Sequence, residues 1–405
     1  MRTLDRKPAI AGGKPVREAN RYLVFGAPTL GETEIGEVVD TLRSGWIGTG
    51  PRVARFERDF AAYTGARHSV AVASCSAGLH LAMRACNIGP GDEVIATALT
   101  FCATVNAVIH TGATPVLVDC DPDSLNLDPA AVEAALSPRT KAIVPVHFAG
   151  RLCDMQPLLG IAERHDLRVI EDCAHAIETL DSQGRHAGTL GDLGAFSFDA
   201  THNVTTGEGG MLTSNRPDLA ERIKVSALHG LSVGAWKRFS DAGYRPYEVI
   251  EAGFKCNMTD LQAAIGIHQL ARVELNLARR EAIWRRYDQA FADLPLQLPP
   301  AAAAGTRHAR HLYSLQVEEG RCLLSRDHFL EALHAEGIGG GVHYRSLSDH
   351  EFYQRELRLI PDACPTAADA GRRIFSIPLS AGLDDDDVGD VIEAVRRVGL
   401  AHAAY

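Results

Sequence analysis

Between residues 68 and 171, short apolar runs alternate with longer stretches that are apolar at helical spacing. That alternation limits the fold more than any other feature of the chain. The runs His68–Ala73, Glu93–Thr97, Thr114–Val118, Ala142–Val146 and Leu167–Glu171 read as strands. Between them Ala77–Cys86, Cys102–His110, Pro129–Leu136 and Met155–His165 read as helices. Parallel strands need a crossover between them, so this order predicts a mostly parallel sheet covered by helices. Two further β-like runs, Gly194–Phe198 and Gly210–Ser214, bracket a glycine-rich turn. Ahead of the sheet, residues 1–30 form an irregular arm rich in Gly and Pro, followed by amphipathic segments at Glu32–Leu42 and Val53–Tyr63.

Beyond residue 258 the texture changes. Leu261, Ile265, Leu270, Val273 and Leu277 mark one long helical pattern from Thr259 through Arg286, and LPPAAAAG reads as a linker. A strand at His311–Val317 and helices at Arg326–Glu336 and Asp386–Val398 then suggest a smaller α+β unit. The expected organisation is an α/β cofactor-binding domain with its N-terminal arm over residues 1–255, and a smaller C-terminal α+β domain over 256–405.

The 405 residues carry 41 Lys and Arg against 51 Asp and Glu, a net charge of −10, with no basic run. A polyanion would be repelled, so nucleic acid is not an expected partner. None of the nine cysteines forms a C-x-C or C-x-x-C pair, which argues against a close-spaced zinc or iron–sulfur site and for reduced thiols in a cytoplasmic protein. The opening MRTLDRKPAIAGGKPV has no apolar signal region, and no stretch approaches the roughly 18–20 apolar residues of a membrane span.

Ligands of open α/β sheets gather at the carboxyl ends of strands, and several polar segments fall at such ends. Ser74–Cys75–Ser76–Ala77–Gly78 joins a strand to a helix; it is either a phosphate seat at a helix N-terminus or an ordinary N-cap. Glu171–Asp172–Cys173–Ala174–His175 ends an apolar strand with carboxylates that suit a metal, a base or a ring-nitrogen partner. The loop in Gly194–Gly210 crowds hydroxyls, His202 and glycines, or is a plain hairpin.

Taken together, SCSAGLH, TFCATVNAV, HFAGRLCDM, VIEDCAHA, FSFDATHNVTTGEGG and GFKCNMTDLQAAIG, in that order, resemble the DegT/StrS-type sugar aminotransferases from Gly45 to the C-terminal helix. The resemblance implies the aspartate-aminotransferase-like fold (fold type I) and pyridoxal 5'-phosphate or pyridoxamine 5'-phosphate as cofactor. It also implies a homodimer with shared active sites, a nucleotide-linked 4-keto-sugar as substrate and an amino donor such as glutamate. Carried over by position, Asp172 pairs with the pyridine nitrogen, Phe101 stacks on the ring and His175 lies by the ring's 3-oxygen. Cys75, Ser76 and Ala77 seat the phosphate with Ser197, and Lys255 and Asn257 come from the second subunit. Trp46, Thr49, His311, Tyr313, His343 and Tyr344 match the sugar pocket; Arg151 and Arg310 are candidates for a nucleotide diphosphate.

One position departs from the transaminating pattern. Where those enzymes read Thr-Lys-Asn, this chain reads Thr201–His202–Asn203. Lysine links covalently to pyridoxal phosphate and then moves protons. An imidazole does the second job and not the first. The other lysines are Lys7, Lys14, Lys141, Lys224, Lys237 and Lys255, none of them near this loop in sequence. Ketosugar 3-dehydratases of the same family, such as the colitose-pathway enzyme, also place His there and use pyridoxamine phosphate, which needs no tether. The expected function is therefore a lysine-free dehydratase or related chemistry with His202 as base. The alternatives are a nucleotide-4-keto-sugar aminotransferase altered at this site, and a non-catalytic binding homologue.

Overall fold

The computed structural model describes residues 7–232, 247–360 and 363–404; Lys237 lies outside them. Ten strands run in chain order: β1 His68–Val72, β2 Glu93–Thr97, β3 Thr114–Val118, β4 Thr140–Val144, β5 Arg168–Asp172, β6 Leu193–Ser197, β7 Gly210–Ser214, β8 Leu296–Gln297, β9 Tyr313–Val317 and β10 Ile374–Ile377. The first seven make one sheet in the order β1-β7-β6-β5-β4-β2-β3. Only β7 runs against its neighbours β1 and β6; the pairs from β6 to β3 are parallel. The expected mostly parallel α/β sheet is present.

Period-two alternation sends side chains of one strand to two cores. Val94 and Ala96 of β2 join Leu79, Leu81, Val105 and Val108 from the helices Cys75–Ala85 and Cys102–Ile109. Ile95 instead joins Ile143, Val169, Leu158 and Ile161 under the helix Met155–His165. Both faces of the sheet are covered, as the continuous apolar runs require.

The long helix expected from Thr259 to Arg286 is two helices, Asp260–Ala271 and Val273–Phe291. Arg272 between them leaves helical geometry (φ −112°), and its guanidinium binds Glu34 Oε1 at 2.6 Å and the Thr29 carbonyl at 2.5 Å. The two halves serve different cores. Ala263, Ile267 and Leu270 pack with Phe56, Phe60 and Phe198, whereas Ile283, Trp284, Tyr287 and Phe291 pack under the small antiparallel sheet β10-β9-β8. Val16 and Leu23 of the N-terminal arm also pack against this second core. The strand expected from His311 begins at Tyr313. The amides of His311 and Leu312 instead donate to the Ala149 carbonyl, which draws His311 toward the large sheet.

Candidate active site

The carboxyl ends of β2, β4, β5 and β6 open on the same side of the sheet, so the loops after them share one cleft. Neighbouring carboxylates at the end of β5 point to opposite faces. Glu171 is consumed by structure: its oxygens accept the amides of Gly188, Leu190 and Gly191 and the Nε2–H of His147 at 2.7–2.9 Å. Asp172, 5% exposed, has neutral hydrogen-bond partners, the Thr104 hydroxyl at 2.7 Å and the Ala174 amide at 3.1 Å. Burial without a bonded cation pushes its pKa above the usual carboxylate value. A protonated ring nitrogen would relieve that cost. Phe101, 56% exposed, caps the helix that carries Thr104.

Ser74 caps the helix Cys75–Ala85 by accepting the Ala77 amide at 3.1 Å, leaving Ser76 exposed on the first turn. First-turn amides of a helix have no partners within the helix and favour an anion. Gly210 pairs with Ser197 across β6 and β7, and a Cβ on it would lie 2.7 Å from the Cys75 nitrogen. Only glycine lets the strand pass so close to this helix end. These residues make an anion cradle joined to Asp172 through adjacent strands. Buried acid, exposed aromatic ring and cradle fit a phosphorylated pyridine.

Four histidines meet beside this cleft, and fixed partners set the proton positions of two of them. His175 Nδ1 accepts the Ala149 amide at 3.2 Å, so in the neutral ring Nε2 carries the proton and donates to the Tyr344 oxygen at 3.0 Å. The ring is neutral because burial and the nearby His202 and His343 push its pKa well down. His311 is held by Asn203: Asn203 Nδ2 donates to Glu178 Oε2 at 2.9 Å and to the Ala309 carbonyl at 3.2 Å. Its Oδ1 must therefore face His311 Nδ1, 3.1 Å away, which donates. His202 sits 4.7 Å from His311 and 5.7 Å from His175, ring centre to ring centre. Its Nδ1 is buried with no hydrogen-bond partner. Burial lowers the His202 pKa; Asp199 and the Ser197 and Ala174 carbonyls oppose the shift.

Ring nitrogens of His175, His202 and His311 lie within 4.8 Å of one another. The arrangement is poor for a metal. His175 has spent its lone pair on Ala149, and its ring stacks on His311 at 4.3 Å and 22°. Nearly parallel stacked rings cannot both aim in-plane lone pairs at one ion.

The network behind Asn203 was not visible in the sequence. Arg280 forms a buried ion pair with Glu178, whose own pKa burial pushes up. Removing one partner of such a pair leaves a stranded charge. Arg280→Met is expected to destabilise the protein by about 3–5 kcal/mol, measured by urea unfolding; a loss under about 1 kcal/mol, the range of a surface pair, would contradict the assignment. The histidines also set a pH dependence. Burial first, then His202, pull His343 from 6.5 to about 4. Below pH 6.5 the unfolded chain binds a proton that the folded chain refuses, so stability is full above 6.5 and declines as pH falls toward 4. His343 alone should contribute about 3 kcal/mol to that decline, seen as a falling unfolding free energy at constant ionic strength.

Of the expected site residues, Phe101, His175, His202, His311, His343 and Tyr344 come together through ring contacts, and all but Phe101 line one cavity of about 80 Å³. Phe25 of the arm stacks on His343. Tyr313 does not belong to this set. It is fully buried among Trp284, Tyr287 and Phe291 and donates to Asp288, because β9 turns alternate residues into the second core. Trp46, Thr49, Lys255 and Asn257 form a separate cluster: Trp46 Nε1 donates to the Thr49 carbonyl at 3.0 Å, and Asn257 bonds both Thr49 and Lys255. Arg151 is turned to the carbonyls of Pro300 and Ala301, and Arg310 lies over Trp284.

The sequence profile of the DegT/DnrJ/EryC1/StrS aminotransferase family matches residues 28–396. The chain belongs to this family. Among its relatives, the spore coat polysaccharide biosynthesis protein SpsC of Bacillus subtilis is 49% identical over 384 residues, 95% of this chain and 98% of SpsC. Spr1654 of Streptococcus pneumoniae, assigned as a sugar aminotransferase and solved in PLP and PMP forms, is 34% identical with a TM-score of 0.87, over 94% of this chain and 99% of its own. DesI, solved with its TDP-sugar product, is 32% identical with a TM-score of 0.84 over 98% of both chains. Set among the DegT/DnrJ/EryC1/StrS aminotransferases, this site is notable for its side chains. Among the described residues no lysine lines the cavity around His202: Lys224 borders a different cavity and Lys255 bonds Asn257.

Proposed function

We propose that this chain is a vitamin-B6 enzyme acting on a nucleotide-linked 4-keto-sugar, using pyridoxamine phosphate without a covalent tether and removing the 3-hydroxyl. The observation that carries the reading is His202: a neutral imidazole, its Nδ1 buried and unpartnered, where a tethering amine would stand. Asp172 would hold the ring nitrogen, Phe101 its face, and Cys75, Ser76, Ala77 and Ser197 the phosphate. The cofactor, when bound, supplies an amine that condenses with the ketone and a ring that accepts electrons.

The protein's own part is proton handling. The His202 ring has a depressed pKa, so it is neutral at neutral pH and one of its nitrogens is ready to take a proton, then return it to the departing hydroxyl. His175 donates to Tyr344 and thereby leaves the Tyr344 hydroxyl proton free to donate elsewhere. Lys255, Asn257, Trp46 and Thr49 would complete the site of a second copy in a homodimer. Their separation from the His202 cavity and the exposure of Phe101 support that reading. Glutamate is the proposed amino donor that regenerates the cofactor. Among the described residues no helix is long and apolar enough to cross a membrane, and the proposed location is the cytoplasm.

A second reading has support of its own. Spr1654, at 34% identity, is assigned as a sugar aminotransferase, which favours an aminotransferase altered at the lysine position. One incubation separates the two. With pyridoxamine phosphate and a nucleotide-linked 4-keto-6-deoxy sugar, mass spectrometry should find a product lacking the 3-hydroxyl. A 4-amino sugar as the sole product would establish transamination, and recovery of unchanged sugar and cofactor would indicate a binding protein.

A further inference from the structure

We propose that His311 is a positioning residue that shares the proton taken up by His202, its receptive nitrogen turned toward the cavity by the chain Arg280–Glu178–Asn203. The proposal rests on the reading of His202 as base, and adds a partner that this reading does not require.

The argument is one of donors and acceptors. Glu178 is an acceptor held by Arg280, and the Ala309 carbonyl is an acceptor; together they take both hydrogens of the Asn203 amide. Asn203 is left with only its oxygen to offer His311 Nδ1, so that nitrogen carries the proton. Burial, with His175, His202, His343 and Arg280 facing it, keeps the His311 ring neutral. Its Nε2 therefore holds a lone pair and no hydrogen. His202 is also a neutral ring, so one of its two nitrogens holds a lone pair as well.

Ring nitrogens of His202 and His311 approach within 4.8 Å, a span one water molecule bridges. While both rings are neutral, one water can donate a hydrogen to each; when a proton arrives, the two rings share it across the same span. When His202 gains it, the new N–H has His311 Nε2 to donate to, directly or through water; when a hydroxyl departs, the same proton leaves with it. No charge or hydrogen is gained or lost over the cycle. Asp199 is the carboxylate that faces His202, and its charge favours the protonated ring; Glu178 is neutralised by Arg280.

Histidine-selective ¹⁵N labelling of the full chain, followed by long-range proton–nitrogen NMR across pH, tests this without turnover. Native His311 should appear as the Nδ1–H tautomer at neutral pH; the Nε2–H tautomer would overturn the proposal. His311→Phe keeps a flat ring against His175 and removes both nitrogens. A hydrogen bond to a charged group is worth roughly 1.5 kcal/mol or more, so the His202 titration midpoint should fall by about one unit. An unchanged or higher midpoint would overturn it. Neither measurement depends on the product formed, so a transaminating enzyme would leave the inference standing, and its failure would leave dehydration untouched.

Discussion

His202→Ala is expected to lower turnover by about 10²–10⁴-fold, the range that a positioned proton carrier contributes, while pyridoxamine phosphate still binds. The two effects separate because His202 is not among the groups assigned to hold the cofactor. Its Nδ1 makes no hydrogen bond, so removing the ring breaks none at that atom. Its backbone amide, bonded to the Asp199 carbonyl, keeps the turn in place. His202→Gln preserves size and polarity without a titratable nitrogen, and should be about as slow as the alanine variant. Rates within about tenfold of the native enzyme for both would remove His202 from the chemistry. Single-turnover absorbance changes of bound pyridoxamine phosphate check the prediction without depending on cofactor regeneration.

Asp172→Asn carries the second large effect. The native carboxylate lies buried with a hydroxyl and an amide as its hydrogen-bond partners, so it is costly to keep charged until a cation arrives. On the proposed reading a protonated ring nitrogen is that cation. Asparagine offers the Ala174 amide the same acceptor but gives the ring no negative charge. Removing a preorganised electrostatic partner of this kind costs roughly 10²–10³ in rate. The fold should hold, since the variant is isosteric and Thr104 can turn its hydroxyl to accept. The matched control is Glu171→Gln on the opposite face of β5: it disturbs the loop at 188–191 and His147, so it should lower stability more than it lowers chemistry. Equal losses of rate from the two variants, with equal losses of stability, would mean that Asp172 too is only structural.

The alternation of strands and helices was legible because fully buried parallel strands must be apolar throughout, and five such runs separated by helical spacing point to a parallel sheet. Asp172 was legible as an acid closing an apolar run, and His202 as a departure from the lysine that the family resemblance implies at its position. Glu171 and Asp172 looked alike in sequence; only the pleat separates the structural acid from the one facing the cleft. The break at Arg272 was hidden because apolar spacing continues through it. Its cause is an ion pair with Glu34, far off in the chain. Tyr313 was misplaced for a related reason: a motif fixes a position but not which face of β9 the side chain takes. The Arg280–Glu178–Asn203 chain joins residues from separate parts of the sequence, each alone an ordinary polar residue. The helices Pro217–Ser226, Glu351–Leu357 and Pro365–Arg373 were not singled out either; the first and third begin on proline, and the second is only seven residues long.

On the proposed reading, cofactor and polypeptide are never covalently joined. Borohydride reduction of the native protein loaded with pyridoxal phosphate, followed by intact-mass analysis, tests it directly. The native chain should keep the mass of the bare polypeptide, whereas His202→Lys, treated identically, should gain one reduced cofactor on residue 202. A native chain that retains the cofactor after reduction, on Lys255 or any other lysine, would contradict the account.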